Sequence, residues 1–543
     1  MGGVVLCPPL AGEKSRAHFT YRLLAENLAE RGLTVLRFDY DGTGDSAGDD
    51  DDPDRMEAWL GSIATAVTYL RRCGVRSLGL VGMRIGALLA ATVARRIGGL
   101  DALVLWDPCW SGRSFFRQQH AMSVMRFGSV LHPDGAMELP GYLCSAQTVG
   151  QISALRLPLG GQPLARRILV LTRPDRACPE EAVTGLSRHD VVWREAEGQA
   201  NLFDVEASLQ QVPTGTIAGI TSWLAGSVAG PRHRVTLYSK AEAVFGSPST
   251  MIERLVHLGP VGLFGIETAP VTRTVGPTVL FLNCGKDWHV GPNRMWTNLA
   301  RRWAASGFRT VRFDLSGLGD SPARAGRSFQ SIYSPDAFDD LTDVVAAVSP
   351  ENPSDVIFAG LCSGAYQGLE SAMTMAPRGV IAINPSLRFT PAETGNGPLD
   401  PRRRICRPPS RMVRMYRELP FPSLRTRLRP VGTRMINLTA RRQSPISCLQ
   451  ELASNGVDTF IVGGADEVGP FCKGKAPERT SLLTTGRVRI EVIEGLDHAL
   501  LLAQDRAQIA AMVTRHVLDR FGSIPIGVGG ETAESIEVSA GRW

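Results

Sequence analysis

The chain is short of the features that would assign it to a specialised class. Aromatic residues make up only 7 % of 543 residues, and 59 basic against 53 acidic side chains leave a net charge of +6. So small an excess over this length implies no nucleic-acid partner. Ten cysteines occur without paired metal-ligand spacing or a regular framework. They are expected to be free thiols in a reducing compartment, several of them inside apolar runs such as VVLCPPL at Cys7 and VLFLNCG at Cys284. The start has no basic leader, no long apolar core and no small-residue cleavage site, so a cytoplasmic protein is expected. The longest apolar stretch, Leu78 to Ala94, is interrupted by Gly82, Arg84 and Gly86, and reads as strand, turn and helix rather than a membrane span. The glycine-rich turns at Gly42 to Gly44 and Gly317 to Gly319 lack the Lys-Ser/Thr ending of a phosphate loop and a ribose-binding acid at dinucleotide spacing. The acidic run Asp49 to Asp52 has no evident co-ligands. Neither a metal nor a cofactor is expected.

What the chain does contain, it contains twice. Arg37 to Ser46 reads RFDYDGTGDS and Arg312 to Ser321 reads RFDLSGLGDS; Gly82 to Ala87 reads GMRIGA and Gly360 to Ala365 reads GLCSGA. The copies lie about 275 residues apart. In each, short apolar runs alternate with helical patterns, the signature of a mostly parallel sheet covered by helices. In the second copy the expected strands are Thr278 to Leu282, Thr310 to Asp314, Val356 to Ala359 and Val380 to Asn384, with helices at Met295 to Ser306, Pro335 to Val348 and Gly364 to Ala376. The first repeats the order: strands at Val4 to Cys7, Thr34 to Phe38, Leu78 to Val81 and Ala102 to Trp106, and helices at Thr20 to Arg31, Met56 to Arg72 and Gly86 to Arg96. Two α/β domains follow, residues 1–228 and 235–521, with Gly226 to Arg234 as a linker and 522–543 as a loose tail. Leu255 to Glu267 reads as an extra hairpin opening the second domain. Both copies depart from the pattern after the same strand, at about 109–166 and 386–442, where an insertion would form a lid. The second insertion carries 14 arginines against Glu393, Asp400 and Glu418, which suits an anionic small-molecule substrate but also a plain solvated surface.

The pattern of strand, Gly-x-nucleophile-x-Gly and helix is that of a nucleophile elbow, in which a tight turn exposes the middle side chain above the sheet beside a helix N-terminus. In the second copy that residue is Cys362. A thiolate is favoured there. His498, in EGLDH after the strand at Val488 to Ile493, stands where the base belongs, and Asp466 in VGGADEVG stands where the orienting acid belongs. The order nucleophile, acid, histidine completes a Cys–Asp–His set. Ser363 is an alternative nucleophile, although one residue past the apex it should point sideways. Its backbone N–H is one oxyanion donor, and the loop at Gly285 and Lys286 is the source of the second.

These motifs resemble the α/β-hydrolase superfamily. The Cys–Asp–His version is similar to that of dienelactone hydrolases, and NCGKDWHVGPNRMW with RFDLSGLGDS and GLCSGA resembles bacterial serine-aminopeptidase-like hydrolases. The resemblance implies two tandem α/β-hydrolase domains and hydrolysis or transfer of an acyl group, from an ester or thioester. The first half, through VVLCPPLAGE, RFDYDGTGDSAGD, GMRIGA and ELPGYLCSAQT, resembles hydrolase-like proteins associated with exosortase and exopolysaccharide loci. There Arg84 replaces the nucleophile and Asn201 the histidine, while Asp175 remains in the acid position. Arginine has no lone pair to attack with at neutral pH, so this half is expected to be catalytically degenerate. Arg84 then either binds an anion at the helix N-terminus or pairs structurally with Asp39 or Asp175. Two other functions stay open: a non-catalytic binding or scaffold protein, and an acyltransferase in polysaccharide or secondary-metabolite assembly. Nothing in the sequence sets an oligomeric state.

Overall fold

A computed structural model describes residues 2–128, 130, 132–206, 209–228, 235–238, 240–246, 250–334, 336–386, 445–472, 482 and 485–522. Two main sheets dominate it. The first half forms β1 (Gly2–Cys7), β2 (Thr34–Arg37), β3 (Ser77–Met83), β4 (Ala102–Trp106), a small hairpin of β5 (Met137–Leu139) and β6 (Tyr142–Cys144), then β7 (Arg167–Thr172) and β8 (Val191–Glu195). Its six-stranded sheet is ordered β2-β1-β3-β4-β7-β8 and is parallel throughout. The second half forms β9 (Glu242–Phe245), β10 (Met251–Leu258), β11 (Leu263–Pro270), β12 (Thr278–Phe281), β13 (Thr310–Phe313), β14 (Val356–Leu361), β15 (Gly379–Ile383), β16 (Asp458–Gly463) and β17 (Val488–Val492). Its parallel strands run β13-β12-β14-β15-β16-β17, the same topology, and the expected hairpin β10–β11 extends the edge by antiparallel pairing with β13. The strands at the centre of each sheet are buried on both faces, as parallel strands between helical layers must be.

Two expectations change. The first long helix begins at Gly12, eight residues before the expected Thr20. Its opening turns, GEKSRAHF, show no apolar period because Ser15 and His18 face the second half of the chain rather than the core. The insertion at 109–166 is ordered around the helix Gly112–Phe127 and the β5–β6 hairpin, and Phe115, Phe116, Leu139 and Cys144 join the first core. It also crosses to the other half: Gly141 donates its N–H to Leu501 O at 3.1 Å. The basic insertion at 386–442 lies outside the described residues beyond Ser386, as do most of the linker and of the tail.

The repeated RFD…GxGDS motif is where the halves meet. Within each copy an aspartate, Asp39 or Asp314, tucks beneath the glycine turn and accepts the N–H of Asp45 or Asp320, at 2.9 Å in both. A side chain at Gly44 or Gly319 would overlap that carboxylate. The serine that ends the motif, Ser46 or Ser321, returns a 2.6 Å hydrogen bond to the same aspartate's carbonyl. The second aspartate then crosses over. Asp45 pairs with Arg312, which is completely buried, and Asp320 pairs with Arg37 at 2.8 Å. His289 bridges Asp45 (2.7 Å) and Asp314 (2.8 Å), and His18 reaches Asp320 (3.3 Å) while stacking on Trp288. Arg301 donates to Asp45 O and Ser46 O, and Arg22 donates to Gly319 O and Ser321 O. The turns that are not phosphate loops are thus sockets for the opposite half.

Burial opposes a charge on His289, but the carboxylates of Asp45 and Asp314 outweigh it and hold the imidazole up at about 10. A raised histidine stabilises the fold fully below its unfolded value, roughly 6.5, and that contribution fades as pH climbs through about 10. Urea unfolding should therefore show stability falling between neutral pH and pH 10, with His289→Gln flattening the decline. Asp45→Asn leaves the buried Arg312 guanidinium with Glu253 alone and should cost about 3 kcal/mol at neutral pH; an unchanged midpoint would show that the crossing pair contributes nothing.

Candidate active site

Both elbows have the same backbone. Cys362 adopts φ 55°, ψ −112° between β14 and the helix Ser363–Met375, and Arg84 adopts φ 57°, ψ −124° between β3 and the helix Ile85–Ile97. Such positive φ is strained for any residue with a side chain and is held by its surroundings. The flanking glycines are obligatory in the second copy. A Cβ on Gly360 would lie 2.5 Å from the Ala365 nitrogen, and one on Gly364 would lie 2.6 Å from Asn283 O.

Around Cys362 the structure brings together His498, Cys284 and the Ser363 N–H. His498 and the Cys362 thiol lie close enough to shift each other's ionisation, and His498 Nδ1 lies 2.9 Å from a carboxylate. That carboxylate belongs to Glu467, not to the expected Asp466. Both acids lie in the first turn of the helix Ala465–Cys472, and successive helical residues point about 100° apart. The helix phase turns Glu467 to the imidazole and leaves Asp466 exposed to solvent.

The electrostatics favour an ion pair. A hydrogen bond from Cys284 is the largest influence on Cys362; burial opposes it, and His498 and the Ser363 N–H add to it, bringing the thiol down to about 5. The bond to Cys362 is likewise the largest influence on His498, which burial resists and Glu467 reinforces, placing the imidazole at about 9. Cys284, pushed well above the ordinary range by the same bond and by burial, keeps its proton. Between those limits the pair is thiolate and imidazolium.

The expected oxyanion donors divide. The Ser363 N–H helps to hold the Cys362 thiol down, whereas the Gly285 N–H donates to Ser363 Oγ at 2.8 Å and is committed there. Lys286 sends its ammonium to Gln210 O of the first half, 3.5 Å away. The Ser363 hydroxyl is buried beneath Gly285, a poor position for the alternative nucleophile.

Asn384, absent from the expectations, anchors the histidine. Its Oδ1 accepts the Gly464 N–H at 2.9 Å, and its Nδ2 donates to Asp497 O (3.3 Å) and His498 O (2.9 Å). The only sequence signal for it is the end of an apolar strand run. The first half supports the same loop, with Glu138 Oε1 accepting the Ala503 N–H (2.9 Å) at the start of the helix Ala503–Phe521 and Arg126 reaching Asp497 (3.7 Å).

In the first half, Arg84 is buried and pairs with Glu13 (3.2 Å) and Asp107 (3.3 Å), and it donates to Gln118 Oε1 (2.5 Å). Asp39 and Asp175, its expected partners, bind Lys14 (2.7 Å) and Arg173 (2.9 Å) instead. Two buried carboxylates already answer the guanidinium, which leaves it little charge to offer an anion. Asn201, in the histidine's place, is exposed. Among the described residues, His289, Asp314 and Asp320 bring three ligand-type atoms within 4.8 Å of one another, and all three are engaged in the crossing ion pairs.

Residues 276–512 match the alpha/beta hydrolase family. That match lies in the second half and spans less than half of the chain. No curated protein matches the chain. Solved structures similar to this chain include an α/β serine hydrolase without a lid from Xanthomonas campestris, at 17 % identity over 52 % of this chain and 100 % of that one, TM-score 0.29. Est1E from Butyrivibrio proteoclasticus, solved with ferulic acid, has 15 % identity over 42 % and 90 %, TM-score 0.32. A dienelactone hydrolase from Anabaena variabilis has 12 % identity over 52 % and 99 %, TM-score 0.30. Overlaps of this size bear on neither substrate nor mechanism. No helix among the described residues is long and apolar enough to cross a membrane.

The Cys362 thiolate can be read directly. Iodoacetamide should alkylate Cys362 down to about pH 5, where ordinary thiols are silent. His498→Gln should raise that midpoint. A Cys362 that labels only above pH 8 in the native chain would contradict the ion pair.

Proposed function

We propose that the protein cleaves esters or thioesters of a small acyl substrate at Cys362, with His498 as proton relay and Glu467 as its orienting acid. The observation that carries this reading is a cysteine held at a strained elbow apex in contact with a histidine whose other nitrogen faces a carboxylate. The family match supports hydrolysis as the reaction class.

The thiolate attacks the carbonyl carbon, a C–S bond forms, and the carbonyl π pair moves to oxygen beside the Ser363 N–H. Collapse expels the alcohol or thiol, which takes its proton from the His498 imidazolium. Neutral His498 then removes a proton from water, the resulting hydroxide adds to the acyl-thiol carbon, and the Cys362 thiolate departs with its bonding pair. Activated esters, lactones and thioesters suit this cycle better than amides, since a thiolate leaves more readily than an amine. An acceptor other than water would make the second step acyl transfer. The first half, with Arg84 neutralised, serves as support.

One observation favours a second reading. With its Gly285 N–H committed to Ser363, the oxyanion site has lost an expected donor, as a binding protein without turnover could tolerate. A panel of p-nitrophenyl esters and acyl-thioesters separates the two. Cys362→Ala should abolish turnover, Glu467→Gln should lower kcat/KM about 10²- to 10⁴-fold, and Asp466→Asn should leave it unchanged. Activity surviving Cys362→Ala would remove the nucleophile assignment, and no turnover on any member would favour the binding protein.

A further inference from the structure

Strand β12 pairs with β14 in the register Thr278↔Val356 through Phe281↔Ala359. Carried three residues past the strand ends, the same register sets Cys284 beside Cys362. The bond from the Gly285 N–H to Ser363 Oγ has the same offset, so the two turns stay side by side there. Neighbouring strands run about 4.8 Å apart, within the roughly 4.4–6.8 Å between Cα atoms that a disulfide spans. The two thiols shift each other's ionisation, and both are partly accessible, whereas Cys7, Cys73, Cys109, Cys144 and Cys448 are buried. Cys284, in the apolar run VLFLNCG, stands beyond the end of β12. In the first half the register Cys7↔Gly82 sets Pro9 beside Arg84, so the thiol pair exists only in the copy whose elbow keeps its sulfur.

We propose that Cys284 is a resolving thiol for Cys362, and that a hydroperoxide converts the pair into a reversible disulfide that shuts the site. The Cys362 thiolate attacks one peroxide oxygen; an S–O bond forms, the O–O bond breaks, and the departing oxide takes a proton and leaves as water or alcohol. Cys284 then attacks the sulfenic sulfur. The S–S bond forms, the S–O bond breaks, and the hydroxyl leaves as water with the Cys284 proton. The thiols lose two electrons and the peroxide gains them; a dithiol reductant reverses the change. Loss of activity on oxidation rests on Cys362 being the nucleophile, whereas formation of the bond does not.

The full-length protein is treated with equimolar hydrogen peroxide, alkylated with iodoacetamide and digested without reduction. Mass spectrometry should find the Cys284 and Cys362 peptides joined, two hydrogens lighter than their sum, and dithiothreitol should release them and restore any acyl-cleaving activity. In Cys284→Ala, Cys362 should pass to sulfinic acid, with at least tenfold less thiol recovered by reductant. In Cys362→Ala, Cys284 should stay reduced. A Cys362 joined to any other cysteine, or as recoverable in Cys284→Ala as in the native chain, would overturn the proposal. If the esters are not cleaved at all, the peptide linkage still decides the disulfide, so the two failures are distinguishable.

Discussion

The crossing of Asp45 to Arg312 and Asp320 to Arg37 is the constraint on which the relation between the two halves depends. Each aspartate is aimed by a turn that closes only because glycine stands at position 44 or 319 and a carboxylate beneath it, Asp39 or Asp314, receives the turn's N–H. The exchange is not equal in strength. Arg312 is wholly enclosed and shared with Glu253, and His289 adds a second cation on Asp45, whereas Arg37 keeps part of its surface in water. An enclosed charge without a partner costs several kcal/mol, which makes the Asp45 side the firmer half of the clasp.

The two elbows show how one backbone serves opposite ends. With Arg84 at the first apex, its neighbours became acids: Glu13 and Asp107 surround the guanidinium. In the second copy, Asn384 occupies the position of Asp107, directly after the matching strand. Asp107 and Asn384 share an unusual conformation, with φ 43° and 42°. The aspartate neutralises a cation, and the uncharged amide fastens the His498 loop to the turn after β16. A carboxylate at 384 could accept the Gly464 N–H but could donate to neither Asp497 O nor His498 O. The change of apex from Arg to Cys is thus matched by a change of anchor from acid to amide.

Much of this could be read from the sequence. Alternation of apolar runs with helical periods located the parallel strands of both sheets, and the elbow string located Cys362 and Arg84. His498 followed from chain order. What escaped depended on phase and on long-range pairing. Choosing Glu467 over Asp466 requires knowing where a helix begins to within one residue, and a one-residue error rotates the choice by about 100°. The early start of the Gly12–Glu30 helix escaped because its first turns are polar where they meet the other half. The role of the GxGDS turns escaped because their partners lie some 270 residues away.

The position of the first half gives it a structural role. A histidine that relays protons from a loop, as proposed for His498, needs that loop held within about half an ångström, and loops hold position less well than sheets. Here the loop after β17 is fastened from three directions. Asn384 holds its start and Asn293 holds the carbonyls of Ala499 and Leu500. From the first half, Gly141 holds Leu501 O and the buried Glu138 receives the N–H that opens the final helix. Glu138 and Gly141 belong to one tight hairpin, which braces the loop three to five residues after His498. The aspartate–arginine crossing helps to hold that brace in register. The surroundings of His498 are therefore completed across the interface between the halves.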